Sequence, residues 1–191
     1  MPVINERDPV RQFEALLASS SFVILLYYRG HWCPFCISHL KELVAISGEV
    51  KAAGGMVAAA TAEGPEHLEK LRASTGLADT VIIDPENLLA KGLKDKGVLD
   101  VAVSDSRLYR LPGYKHGLAQ PALLAIKNDG TVLYQWAIIP SLMNIGGATD
   151  RPVLAEVWKN VQRKLQGEDG TEEKCATTGI LHLLKQKTWG R

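Results

Sequence analysis

The sequence predicts an α/β fold, a central mixed β-sheet with helices on both faces, and three observations carry that prediction. Short apolar runs at 22–28, 56–61, 80–83 and 121–126 alternate with segments whose apolar residues recur at helical spacing. The run at 22–28 is apolar at every position, as expected of a strand buried on both faces in a sheet with a parallel portion. Asn128–Asp129–Gly130 then joins 121–126 to 131–136 through a tight turn, which adds an antiparallel hairpin to the sheet.

Taken in order, Asp8 and Pro9 open a short amphipathic helix over 9–18, with Val10, Phe13, Leu16 and Leu17 on its inner face. After the strand at 22–28, Ile37, Leu40, Leu43 and Val44 share one helical face, and Gly54–Gly55 stops that helix. That strand–turn–helix segment thus spans 22–54. A small apolar strand occupies 56–61, a helix 65–75 ends at Gly76, and a short strand occupies 80–83. Asp84 and Pro85 predict the cap and first position of a helix over 85–94. Residues 97–120 show no clean period, which marks a functional loop or a hidden short helix. The strand and hairpin at 121–139 follow. Val153, Leu154, Val157, Trp158, Val161 and Leu165 then give a late amphipathic helix over 151–166. The tail is polar until Ile180, Leu181, Leu183 and Leu184, which suit local docking or association.

With 191 residues the chain reads as one domain (1–167) followed by a tail (168–191). Lys and Arg total 22 against 21 for Asp and Glu, and that balance argues against a nucleic-acid or membrane-surface partner. The N-terminal residues are polar and carry no signal-like apolar run, so a reducing, cytoplasmic location is expected. Three cysteines are too few for a disulfide scaffold.

Two of those cysteines form Cys33–Pro34–Phe35–Cys36, placed between a buried strand and a helix. A helix N-terminus exposes unpaired N–H groups and partial positive charge, both of which favour a thiolate. Cysteines three residues apart meet at the first turn and can close a small disulfide. Cys33, the outer sulfur, is the expected nucleophile, and Cys36 the thiol that resolves a mixed disulfide. Pro34 suits the first helical position, and Phe35 adds an apolar neighbour for a substrate. A structural zinc would need two more ligands. Cys36-x-x-His39 offers one, but no second pair follows, so no metal is assigned. Trp32 is a rim and packing residue, while His31 is placed to stabilise the thiolate or shuttle a proton, or else is a solvated rim residue. Cys175 reads as a lone tail thiol, with a resolving or intermolecular role as the alternative.

The run Tyr27–Tyr28–Arg29–Gly30–His31–Trp32–Cys33–Pro34–Phe35–Cys36 resembles the active-site segment of the thioredoxin-like superfamily. More closely, it is similar to the peroxiredoxin-like branch of the alkyl hydroperoxide reductase and thiol-specific antioxidant (AhpC/TSA) family. Ile83–Asp84–Pro85–Glu86–Asn87 and Gln120–Pro121–Ala122 agree with that pattern in order, and the resemblance covers about residues 10–166. It implies a thioredoxin-like fold and a cis bond between Gln120 and Pro121 that shapes the site beside the active cysteine. It further implies no cofactor beyond a redox-active disulfide, a disulfide or peroxide substrate, an external thiol donor such as thioredoxin or glutathione, and room for a homodimer.

The departures from the pattern bear on mechanism. Thioredoxins carry a buried acid where this chain has Tyr27, which removes the usual base for Cys36. Peroxiredoxins place a Thr at the position of Gly30 and an arginine at that of Gln120. Without that hydroxyl and cation, rapid peroxide cleavage loses its alignment and its charge stabilisation. Arg29 is the substitute cation at hand, unless its side chain turns away into a surface ion pair. Three readings therefore stand: a dithiol oxidoreductase acting on disulfides, an atypical peroxidase, and a redox-sensing or metal-binding module.

Overall fold

The computed structural model describes residues 8–105, 113–168 and 175–178. The fully apolar run becomes β1 (Phe22–Tyr27), buried at every position, in the middle of a five-stranded sheet. β2 (Gly55–Thr61) runs parallel to β1, and β3 (Thr80–Ile83) runs parallel to β2. On the other side of β1, β6 (Ala122–Lys127) pairs antiparallel in the register Tyr27 to Ala122, and β7 (Val132–Ala137) completes the predicted hairpin. The order β3-β2-β1-β6-β7 is the mixed sheet expected from the sequence. Gly130 takes φ +88° in the turn, a backbone region that glycine enters at no steric cost.

Alternation along β1 builds two cores. Phe22, Ile24, Leu26 and Tyr28 face α2 (Pro34–Ala52), α3 (Leu68–Thr75) and α5 (Leu154–Leu165). Val23, Leu25 and Tyr27 face α1 (Pro9–Ala18) and α4 (Leu88–Asp95). On the first face Phe22 stacks on Trp158 with ring centroids 6.0 Å apart, and the Trp158 indole N–H donates to Glu49 at 2.7 Å. α1 is capped as expected: the Asp8 carboxylate accepts the Val10 and Arg11 N–H groups at 2.9 and 3.3 Å. Among the described residues no helix is long and apolar enough to cross a membrane.

Five expectations are corrected. The helix expected over 65–75 opens with a 3-10 turn, Pro65–His67, before α3 begins. The helix expected at Pro85 starts at Leu88, because Asn87 adopts φ +56° and breaks helical continuity. Asp84 still caps it from four residues back, accepting from the Leu88, Leu89 and Ala90 N–H groups at 2.7, 3.0 and 3.3 Å. The late helix starts at Leu154 and ends at Leu165. Arg151–Pro152 forms a short strand instead, β8, paired with β9 (Thr177–Thr178) of the tail. The unperiodic stretch holds β4 (Val103–Ser104) against β5 (Leu118–Ala119), and its residues 106–112 lie outside the described residues.

The fifth correction concerns Pro121. The Gln120–Pro121 bond is trans. Gln120 donates its N–H to the Ala102 carbonyl at 2.8 Å, and the Pro121 carbonyl accepts the Ile138 N–H at 3.0 Å. The chain thus passes from β5 into β6 in one extended sweep, which the trans form permits and ordinarily prefers. The apolar tail residues Ile180 to Leu184 also lie outside the described residues.

Candidate active site

β1 delivers the chain to the site, and a turn closed by the Cys33 N–H on the Gly30 carbonyl at 3.2 Å sets Cys33 as the N-cap of α2. Pro34 occupies the first helical position and is exposed, whereas Phe35 is half-buried against the core. Both thiols are free and buried, with Cys33 2% and Cys36 0% exposed. The two sulfurs hydrogen-bond to each other.

Their protonation is unequal. The Cys36 hydrogen bond and burial push the Cys33 thiol far up. Burial opposes ionisation of Cys36 as well. There the Cys33 hydrogen bond, the Arg151 cation and the Arg29 N–H outweigh burial and draw the thiol well below its usual value. The closed reduced pair therefore titrates as a unit that gives up one proton readily and holds the other, with Arg151 beside both sulfurs.

Arg151 is the functional residue that sequence reasoning missed. It is 1% exposed, and its Nη2 stands 3.4 Å from Cys36 Sγ and 3.9 Å from Cys33 Sγ. Neither its Nε nor its Nη1 has a hydrogen-bond partner among the described residues, so donors remain available beside the sulfurs. One face of α2 holds the segment that carries it. His39 Nε2 meets the Pro152 carbonyl at 3.0 Å, and Glu42 accepts the Leu154 N–H at 3.1 Å. His39 of the Cys36-x-x-His39 pair is thereby committed to positioning. The available signal was a cation at the start of a helix, where the dipole disfavours one.

Arg29 does not reach a surface ion pair. It is 4% exposed, its guanidinium lies over Trp32 at 5.8 Å, and its backbone N–H donates to Cys36 Sγ at 3.4 Å. Trp32 is partly exposed and donates its indole N–H to the Tyr114 hydroxyl at 2.9 Å. That hydroxyl in turn faces the Arg29 carbonyl at 3.0 Å and Glu63 at 3.2 Å. His31 pairs with Glu63, ring Nδ1 to Oε1 at 2.7 Å and backbone N–H to Oε2 at 2.8 Å.

The two substituted positions have structural explanations. A Cβ at Gly30 would lie 2.4 Å from the Trp32 indole nitrogen, 2.5 Å from the Tyr114 hydroxyl and 2.7 Å from Glu63, so the network excludes a side chain there. Gln120 is fully buried and donates to Ser104 Oγ at 3.0 Å. Tyr27 belongs to the sheet face opposite Cys36, and burial raises its phenol well above the ordinary range, so it offers no base. Cys175 is half-buried against the core, with Asn160 Nδ2 at 3.4 Å, and burial raises its thiol.

Comparison with known proteins agrees with this architecture. The fold is similar to that of peroxidoxin BcpB from Mycobacterium tuberculosis, with a TM-score of 0.57 at 14% identity over 83% of this chain and 86% of that one. It is also similar to AhpC from the same organism (TM-score 0.55, 12% identity, 80% and 74% covered). AhpC from Enterococcus faecalis matches in the same way (TM-score 0.55, 16% identity, 82% and 81% covered). No curated protein sequence matches the chain. The family model for AhpC/TSA matches residues 8–135, about two thirds of the length, and the chain belongs to that family, with its thioredoxin-like fold.

Proposed function

We propose that this oxidoreductase of the AhpC/TSA family cycles Cys33 and Cys36 between dithiol and disulfide, reducing a disulfide substrate and being restored by an external thiol donor. The observation that carries the reading is Arg151 Nη2 within 3.4 and 3.9 Å of the two sulfurs. A cation shared by both sulfurs stabilises whichever one bears charge as the proton and the substrate sulfur are exchanged.

In this mechanism the closed pair first opens at the exposed Trp32 and Pro34 rim, and the anionic charge passes to Cys33 as its proton moves to Cys36. The Cys33 thiolate attacks one substrate sulfur, forming a mixed disulfide and expelling the other as a thiolate. Cys36 then gives up its proton to the expelled thiolate or to water, with Arg151 beside it, and attacks Cys33 Sγ. This closes the Cys33–Cys36 disulfide and releases the second substrate thiol. Two electrons leave the protein per turnover, and a dithiol donor returns them. Trp32, Pro34 and Phe35 shape the entrance, Gln120 and Pro121 fix the neighbouring strand, and Arg29 adds a second cation.

A second reading has peroxide as the oxidant. Arg151 favours it, because it supplies from another part of the chain the cation that Gln120 does not. Attack on the O–O bond would give a sulfenic acid on Cys33 and an alcohol, and Cys36 would then form the disulfide with loss of water. The two readings separate when the reduced protein is mixed, in parallel, with a model disulfide and with peroxide. In the first reading disulfide reduction is the faster and Cys36→Ser traps a mixed disulfide on Cys33. Disulfide reduction undiminished by Cys33→Ser would end it, and rapid peroxide consumption with a trapped sulfenic acid would favour the second.

A further inference from the structure

Beside the dithiol, and unused by it, lies a second cluster: His31 from the loop before α2, Glu63 from the bend just after β2, and His67 from the 3-10 turn. Each offers a ligand atom, and these atoms all lie within 4.8 Å of one another. The two imidazoles stack with centroids 4.3 Å apart and planes inclined by 21°. Glu63 is 4% exposed, and among the described residues it has no Lys or Arg partner. A buried carboxylate needs compensating positive charge.

We propose that His31, Glu63 and His67 bind a divalent transition metal of the zinc class, with an open position for water. Two neutral imidazoles and one carboxylate form a donor set suited to such an ion, which would lie against the buried Glu63 carboxylate. Bonds of about 2.0–2.1 Å place tetrahedral ligand atoms roughly 3.4 Å apart, so the longer spacings, up to 4.8 Å, must close, the 2.7 Å His31–Glu63 contact must open, and one ring must turn out of the stack. His67 can provide this movement: its side chain is 40% exposed, and beyond the stack on His31 it meets the exposed Glu66 at 3.7 Å. The Tyr114 hydroxyl on Glu63 Oε1 is the outer partner that orients a ligating carboxylate. A bound ion would tie the loop leading into Cys33 to the turn after β2.

The full reduced chain, titrated with Co2+ and then with Zn2+, tests this. We expect about one equivalent of Co2+ giving d–d absorption without thiolate charge transfer, displaced by Zn2+. Binding should persist in the Cys33→Ser/Cys36→Ser protein and be lost in both His67→Ala and His67→Asn, whose metal-free thermal unfolding should match wild type. Zn2+ should raise the unfolding temperature of wild type and of neither His67 variant. Binding that survives loss of His67, binding that disappears with the two cysteines, or no retention of either metal would each overturn the proposal.

Discussion

Arg151 Nη2 lies 3.4 Å from Cys36 Sγ, a contact between residues 115 positions apart that places a buried cation on the inner of the two thiols. It favours ionisation of the reduced pair, together with the hydrogen bond between the two sulfurs. A buried thiolate without such a partner would take up a proton instead.

Replacing Arg151 with Met should therefore raise the pH at which the dithiol becomes reactive. A shift of one pKa unit corresponds to about 1.36 kcal/mol and a tenfold loss of thiolate below the pKa. Alkylation rates of Cys33 and Cys36 measured against pH should move upward by about that much or more. An unchanged profile would mean that Arg151 only fills space.

The pair also makes a signed prediction for stability. In the folded state Cys36 has lost its proton at pH values where an unfolded cysteine, near pH 8.5, still keeps it. Stability should rise with pH up to about 8.5, since the unfolded chain then binds more protons. Above that pH the order reverses, because Cys33 holds its proton in the fold while the unfolded chain releases it. Urea midpoints across pH 6 to 10 should trace this dome in the reduced protein and flatten in Cys33→Ser/Cys36→Ser. A rise continuing through pH 10 would contradict the opposed shifts of the pair's two titrations.

Gly30→Thr, which restores the side chain of typical peroxiredoxins, should damage this site. Its Cβ would meet Trp32, Tyr114 and Glu63 at 2.4–2.7 Å, and overpacking of that kind costs about 1–3 kcal/mol. Denaturant unfolding gives the loss. A variant as stable as wild type, with faster peroxide turnover, would show that the network yields easily.

On the far side of α2, Trp158→Ala removes the stack on Phe22 and leaves Glu49 without its indole donor. The loss should be about 3–5 kcal/mol in urea unfolding. Thiol reactivity should be affected less than in Arg151→Met.

Much of this was legible from local pattern. The all-apolar run became the central strand, the hairpin turn formed at Gly130, and Cys33 capped α2, since each depends on residues within a few positions. What escaped depends on distant pairing. Arg151 and Pro152 directly precede the apolar pattern that opens at Val153, so they read as the first turn of that helix, and only their pairing with Thr177–Thr178 draws them into a strand. Asn87 in the left-handed region was hidden because its side chain is held by the His116 carbonyl at 3.0 Å. The network that makes Gly30 necessary joins residues from three separate segments.

The most direct test of the dithiol cycle is intact and peptide mass analysis of the chain after equilibration with a graded thiol–disulfide buffer. The cycle predicts loss of two hydrogens per chain, located in a Cys33–Cys36 disulfide, with Cys175 still open to alkylation. Full alkylation of Cys33 and Cys36 under oxidising buffer, or a disulfide that joins either of them to Cys175, would contradict it.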